Sequence, residues 1–473
     1  MFELRGVLEG FYGRPWSWAE RERMIDFMAE VGLNIYCYAP KNDPIHRGRW
    51  REPYLPEEIE RFGQLATRCA LRGVEFNFGL SPLKMHYSDP ADLEILVEKF
   101  RRLYEVGVRS FGLLLDDMPD KFNHEDDAAR FASIGHGHVW VVNTVVDRLK
   151  ALGGIDRLIF TPTEYHGTGV SPYLETLGKG LYPDVDLFWT GGEVCSQFLR
   201  TPDARVISET LKRPVLYWDN YPVNDLEMHF DPHLRPFRGR DGDLDAACKG
   251  IVANGSLQPE AAKIPLYTLS MYMKAPQQYN PDMAWQIALM AITRNPEDAV
   301  AVATLGDLSR RSVLDRGQSL ANYLVPRLAR FWERWGSLPA VAGPDIPDLP
   351  PTPPTGAPED REGAMAELEA EFARLHSIAD RLLNKLGNEY LKVELQPWAA
   401  KLAGWAEVGT LGLTVLRKAT NNPADPELPA LRRRTLDAIL TTRENFHWVG
   451  GDIFDNFARR CLWAAAFRPA TEA

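Results

Sequence analysis

A chain of 473 residues is longer than a single hydrophobic core usually spans, so two or three units are expected. A composition of 45% hydrophobic and 25% charged residues excludes wholesale disorder. Lys and Arg number 54 against 65 Asp and Glu, and the formal net charge of -11 argues against nucleic acid or an anionic membrane as partner and for a neutral or weakly charged substrate. The five cysteines, Cys37, Cys69, Cys195, Cys248 and Cys461, are scattered, odd in number and free of CxxC or zinc spacing. That pattern points away from a disulfide framework or a structural metal and toward a reducing compartment. The opening MFELRGVLEGFYG has no apolar stretch of signal-peptide length, and no run of about 18 apolar residues follows, so a cytoplasmic location is expected.

In chain order, the first strand-like run is 6–9. Ser17 and Glu20 then have capping-box spacing, starting a helix expected to run to Val31 and stop at Gly32. Strand-like runs follow at 33–39 and 75–80, and Asp92 is expected to begin a second helix ending at Val106 and Gly107. Further runs lie at 110–115, 157–160, 185–189, 214–218 and 250–253. Strands alternating with helices favour a parallel sheet, and eight units within roughly 260 residues fit a closed (β/α)8 barrel better than an open doubly wound sheet. No G-x-G-x-x-G follows a strand. The expected division is a catalytic barrel over 1–280 and an α-helical bundle over 281–473. Eight prolines between 337 and 359 mark a loop or linker there. Beyond it Leu368, Phe372, Leu375, Ile378, Leu382 and Leu386 recur at helical spacing, as do Trp398, Leu402 and Trp405, and these stripes read as core.

In a barrel, chemistry collects where strands end and loops begin. The polar residues there are Glu9-Gly10, Lys41, Asp116-Asp117, Thr163-Glu164-Tyr165, Thr190-Gly191, Asp219-Asn220, Asn224-Asp225 and Asn254. Asp116-Asp117 is the sharpest feature, two carboxylates delivered by one apolar run. A helix cap or solvated turn is the bland alternative, and His124-Glu125-Asp126-Asp127 fits that description better. Adjacent strand residues face opposite ways, so both acids can share a pocket only if the backbone turns at or just after Asp116. Neighbouring carboxylates ionise in coupled steps, so one of them is expected to stay protonated near neutral pH and to serve as a general acid. Aromatic residues gather at the same strand ends, including Phe11, Tyr12, Trp16, Tyr165, Trp189, Trp218 and Tyr221, which together with the amides and acids suits a sugar. His136-Gly137-His138 is the one metal-like pair, expected in a loop or helix after the fourth strand and therefore structural. Neither a metal nor any other cofactor is expected, and a G-x-S-x-G elbow is missing.

The motifs Gly6-Val-Leu-Glu-Gly-Phe-Tyr-Gly-Arg-Pro-Trp16, Tyr38-Ala-Pro-Lys41, Leu114-Leu-Asp-Asp117, Thr161-Pro-Thr-Glu-Tyr165, Trp189-Thr-Gly191, Trp218-Asp-Asn220 and Asn224-Asp225 resemble glycoside hydrolase family 84, the O-GlcNAcases and related β-N-acetylglucosaminidases. The resemblance runs in order over roughly residues 5–280. It implies a retaining exo-β-N-acetylglucosaminidase in which the substrate's own 2-acetamido oxygen attacks the anomeric carbon to form an oxazoline. By position, Asp116 would orient and polarise the acetamido group, and Asp117 would act as general acid and then base. The same correspondence sets the Gly10 backbone, Lys41, Asp225 and Asn254 around the sugar hydroxyls. It puts Asn220 and Tyr165 near the acetamide and the catalytic pair, with Thr190 and Trp218 walling the acetyl pocket. The implied partner is a glycoprotein or glycan bearing β-GlcNAc. After Asn254 the chain reads Gly255-Ser256 where many relatives have an Asn-Pro pair. An endo-acting, hyaluronidase-like glycosidase is the alternative within the family, and a noncatalytic sugar-binding scaffold is the alternative outside it.

Overall fold

A computed structural model describes residues 2–316, 323–335 and 360–466. The proline-rich stretch at 337–359 lies outside the described residues. Eight strands form a closed parallel barrel: β1 (Leu4–Glu9), β2 (Ile35–Tyr38), β3 (Glu75–Leu80), β4 (Ser110–Leu114), β5 (Arg157–Thr161), β6 (Val185–Trp189), β7 (Val215–Asp219) and β8 (Cys248–Asn254). They pair in sequence order, and β8 closes on β1 with Gly6 opposite Val252. All eight strand-like runs of the sequence are strands; the second is shorter than its apolar pattern because Leu33, Asn34 and Ala39 serve as flanking joints.

Side chains two or four residues apart on a strand share one face. Leu4 and Leu8, Ile35 and Cys37, and Leu216 and Trp218 accordingly join Leu114, Ile159, Phe188 and Val252 in one core cluster, each at most 4% exposed. The closing seam demands glycine, since a Cβ on Gly250 would lie 2.0 Å from the Leu4 carbonyl oxygen. Between β7 and β8, Val215 pairs with Cys248 and Leu216 with Gly250, so the register skips Lys249.

The helices between the strands are α1 (Trp18–Val31), α2 (Pro56–Leu71), α3 (Pro90–Glu105), α4 (Glu125–Arg130), α5 (Ile134–Lys150), α6 (Pro172–Gly180), α7 (Thr201–Leu211) and, after β8, α8 (Pro259–Lys274). The capping box of α1 forms, with Ser17 Oγ accepting the Glu20 N–H at 3.3 Å and the Glu20 carboxylate accepting the Ser17 N–H at 2.6 Å. Gly32 ends the helix in the left-handed region, φ 80°. The start of α3 corrects the sequence reading. Its cap is Asp89, because Pro90 is preset for the first helical position, and Asp92 lies inside the helix, buried and bound by Arg51. His136 and His138 lie on α5. The His138 ring is fully buried, 2.8 Å from the Tyr173 hydroxyl and 3.1 Å from that of Tyr87, and burial pushes its pKa down to about 3.

The described residues form two compact units. One holds residues up to His229 with Pro236–Ala288; the other holds Phe230–Arg235 and the described residues from Leu289 onward. The second unit is helical, with α10 (Pro296–Leu308), α11 (Leu324–Trp335), α12 (Arg361–Asp380), α13 (Glu389–Asn421), α14 (Leu428–Glu444) and α15 (Ile453–Ala466); α9 (Pro281–Thr293) precedes them. The leucine and aromatic stripes of α12 and α13 are buried, including Phe372, Leu375, Trp398 and Trp405. Phe372 fits only because its neighbour on α13 is glycine: a Cβ on Gly409 would lie 2.2 Å from its ring. Among the described residues no helix is long and apolar enough to cross a membrane.

Candidate active site

β4 ends at Leu114, and the chain turns through Leu115 and Asp116. Asp117 takes a left-handed backbone, φ 54°, which only a local turn sustains in a non-glycine residue. This is the turn that two adjacent strand-end acids need in order to face one pocket. The two acids differ in surroundings. Asp116 is 4% exposed, whereas Asp117 is exposed at the pocket mouth.

One oxygen of Asp116, Oδ2, is ion-paired with Lys41, itself buried. The other, Oδ1, is buried and has no hydrogen-bond partner among the described residues. An ionised carboxylate is an acceptor only, so Oδ1 is suited to a donor from outside the protein. Lys41 is held over the Trp218 ring, 5.4 Å from its centre, and its backbone N–H donates to the Phe11 carbonyl at 3.2 Å.

Asp117 receives one tyrosine on each oxygen. The Tyr165 hydroxyl donates to Oδ1 at 2.7 Å and the Tyr12 hydroxyl to Oδ2 at 2.8 Å. Partial burial pushes the Asp117 carboxyl up, but the Lys41 charge, the two tyrosine hydrogen bonds and the charge of Arg47 outweigh it and hold the group below the usual aspartate value. For Asp117 this reverses the expectation of a proton retained near neutral pH. The acids do not face each other uncompensated, because a lysine sits on one and two hydroxyls on the other. Each tyrosine pays the complementary penalty, its own pKa pushed up by burial and by the carboxylate it serves.

Most of the other residues expected around the sugar are tied together by hydrogen bonds. Tyr12 connects two acids, since its backbone N–H also donates to Asp225 at 2.8 Å. Burial raises the pKa of Asp225. The Gly10 N–H donates to Asn254 Oδ1 at 3.1 Å, Asn254 Nδ2 donates to Asn220 Oδ1 at 3.0 Å, and Trp218 Nε1 donates to the same oxygen at 2.8 Å. Asn220 is anchored in turn by donating to the Val194 carbonyl at 2.8 Å. The Thr190 N–H donates to the Tyr165 carbonyl at 2.8 Å, and its hydroxyl is committed to the Glu193 carbonyl at 2.8 Å. Gly10 must be glycine here, because a Cβ would lie 2.8 Å from the Trp218 ring.

Two acids of the strand-end set turn away from the pocket. Glu9 is fully buried and held by the Arg21 guanidinium at 2.8 and 2.9 Å, the Tyr36 hydroxyl and the Trp16 N–H. Asp219 is buried and paired with buried Arg240, whose Nε donates to Oδ2 at 2.9 Å and whose Nη2 donates to Oδ1. The acidic cluster opens a helix as expected, with Glu125, Asp126 and Asp127 in the first turn of α4, and Asp127 is in addition buried, accepting the N–H groups of Tyr87 and Ser88 at 3.0 and 2.6 Å. Two residues of the site escaped the sequence reading of roles. Tyr12 stood among the aromatics and inside the Gly6–Trp16 motif without a role of its own, although its place between Gly10 and Gly13 was a usable signal. Arg47 belongs to no motif, yet it lies beside Asp117. Among the described residues no cluster of three or more His, Cys, Asp or Glu could hold a metal ion.

A family model described as beta-N-acetylglucosaminidase matches residues 5–306. Protein O-GlcNAcase of Rattus norvegicus and that of Mus musculus are each 34% identical to this chain over 279 residues, 58% of its length. The chain spans 30% of the length of these relatives. Among solved structures, a mutant of Thermobaculum terrenum O-GlcNAc hydrolase is 30% identical with a TM-score of 0.87, covering 98% of this chain and 94% of that one. The structure of CpGH84B is 26% identical with a TM-score of 0.79, over 97% and 77% of the respective chains.

Proposed function

Since the chain belongs to the β-N-acetylglucosaminidase family, we propose that it is a retaining exo-β-N-acetylglucosaminidase of the O-GlcNAcase type, acting by substrate assistance. The observation that carries this reading is the unpaired, buried Asp116 Oδ1 beside a Lys41-bound Oδ2. A fixed acceptor of that kind matches the N–H of a 2-acetamido group, and a carboxylate so engaged is badly placed to be a nucleophile itself. In the first step the acetamido oxygen forms a bond to the anomeric carbon while the glycosidic C–O bond breaks. Asp117 gives its proton to the leaving oxygen, and Asp116 stabilises the charge developing on the acetamido nitrogen. In the second step Asp117 takes a proton from water as the water oxygen bonds to the anomeric carbon and the oxazoline C–O bond opens. Two inversions return the original configuration.

The depressed pKa of Asp117 belongs to the ligand-free site. Sugar entry replaces a tyrosine hydroxyl on Asp117 by the glycosidic oxygen and dries the pocket, and both changes favour the protonated acid. Gly10, Lys41, Asp225 and Asn254 are assigned to the sugar hydroxyls, Asn220 and Tyr165 to the acetamide region, and Thr190 and Trp218 to the acetyl pocket. The partner is β-GlcNAc on a glycoprotein or glycan. The buried thiols of Cys37, Cys69, Cys248 and Cys461, none of them in a disulfide, support work in a reducing cytoplasm. The test is hydrolysis of aryl β-N-acetylglucosaminides by the wild type, Asp116→Ala and Asp117→Ala. Asp117→Ala is expected to slow poor leaving groups most; an equal loss on good and poor leaving groups would remove Asp117 from the role of acid. Release of single sugars from the end of an oligosaccharide separates exo from endo action.

A further inference from the structure

Arg47 follows Lys41 in a segment whose backbone is fixed on both sides. The Asp43 carboxylate accepts the N–H groups of Ile45 and His46 at 2.8 and 3.3 Å. The His46 carbonyl accepts the Ser81 N–H at 3.0 Å, and His46 Nδ1–H donates to the Gly79 carbonyl at 3.0 Å. The Arg47 side chain is thereby delivered to the lip of the pocket. One terminal nitrogen lies 3.5 Å from the Asp117 carbonyl oxygen and the other 3.5 Å from Ser81 Oγ, with the guanidinium carbon 5.9 Å from the centre of the Tyr12 ring.

These contacts are marginal for a group with five donors. The neighbouring arginines fare better, Arg49 pairing with Glu52 and Arg51 with Asp92. Among the described residues no carboxylate lies within ion-pair distance of Arg47. In a chain of net charge -11 carboxylates are plentiful, so a half-buried guanidinium left without one beside a reactive acid is a site prepared for an external anion. Its position decides which part of the substrate that anion belongs to. Asp117 is assigned above to the leaving oxygen, and Arg47 touches Asp117 rather than the groups assigned to the sugar hydroxyls.

Resting on that reading, we propose that Arg47 is a specificity-determining residue that favours substrates whose aglycone carries a carboxylate close to the glycosidic oxygen. The overall negative charge opposes such a substrate at long range, so the preference comes from this one local cation and disappears with it.

The test compares 3-carboxyphenyl and 3-carbamoylphenyl β-N-acetylglucosaminides, which differ in charge and little in shape. At low ionic strength the wild type is expected to favour the carboxylate by about three- to fivefold in kcat/KM, the effect of a partly exposed ion pair. Arg47→Gln abolishes that ratio, Arg47→Lys retains part of it, and added salt lowers it in the wild type. The lysine variant also serves if the glutamine variant does not fold. A wild-type ratio of one or less overturns the proposal. So does a ratio that survives in Arg47→Gln, including the case in which both substrates slow by the same factor, since Arg47 would then only hold the Asp117 loop. A wild type that hydrolyses neither glycoside overturns the glycosidase reading as well, whereas equal rates on both overturn this proposal alone.

Discussion

Replacing Tyr12 by Phe removes one hydroxyl and leaves the ring, its contact with Arg47 and the backbone N–H to Asp225 in place. The lost hydrogen bond is the 2.8 Å donation to Asp117 Oδ2. A hydrogen bond to a charged group contributes about 1.5–3 kcal/mol when buried. Asp117 is exposed, and Tyr165 still serves its other oxygen, so roughly half of that is the reasonable expectation. At about 1.4 kcal/mol per pH unit, the free-enzyme pKa of Asp117 should rise by about 0.5–1 unit. The sign follows from the depressed value in the intact site. The hydroxyl stabilises the carboxylate, and its loss favours the protonated form that the first step requires. The alkaline limb of the kcat/KM profile, which reports the free enzyme, should therefore move up by that amount. The assay is a pH–rate profile on an aryl β-N-acetylglucosaminide for wild type and Tyr12→Phe. An alkaline limb that stays in place or moves down would show that the Tyr12 hydroxyl does not stabilise the Asp117 carboxylate.

Lys41→Met strands the Asp116 carboxylate in a buried position and should cost about 3 kcal/mol of stability together with most of the activity; adding Asp116→Asn should restore the denaturation midpoint and leave the activity lost. Arg240→Met should destabilise by a similar amount, about 3 kcal/mol in urea unfolding, because it leaves Asp219 buried without its partner, and the double variant Arg240→Met with Asp219→Asn should be less damaged than the single one. Ser17→Ala should cost about 1 kcal/mol through loss of the α1 cap without changing kcat/KM, which makes it a control for stability effects alone.

The barrel was legible because each strand is a short apolar run closed by a polar strand end, and each intervening helix has its own punctuation, as Ser17, Glu20 and Gly32 illustrate. Asp92 misled as a helix start because its spacing is as good as that of Asp89, and only the Pro90 that follows Asp89 decides between them. The candidate site was legible as a rim of polar residues, and the network from Gly10 through Asn254 and Asn220 to Trp218 joins residues that the strand-end rule had already gathered. The rule could not tell rim from support. Glu9 and Asp219 end strands as Asp116 does, but arginines on other segments, Arg21 and Arg240, claim them. That choice depends on long-range packing that local spacing does not record. The protonation of Asp117 was unreadable for the same reason, since it depends on Lys41, Tyr165 and Tyr12 converging from three separate loops.

That the substrate's acetamido oxygen, steered by Asp116, is the nucleophile is tested by kcat/KM on aryl β-N-acetylglucosaminides bearing acetyl, fluoroacetyl, difluoroacetyl and trifluoroacetyl groups. Each fluorine weakens that oxygen, so a steep, monotonic fall of at least about a hundredfold is expected across the series, equivalent to about 2.7 kcal/mol of barrier. Rates indifferent to fluorination would contradict it.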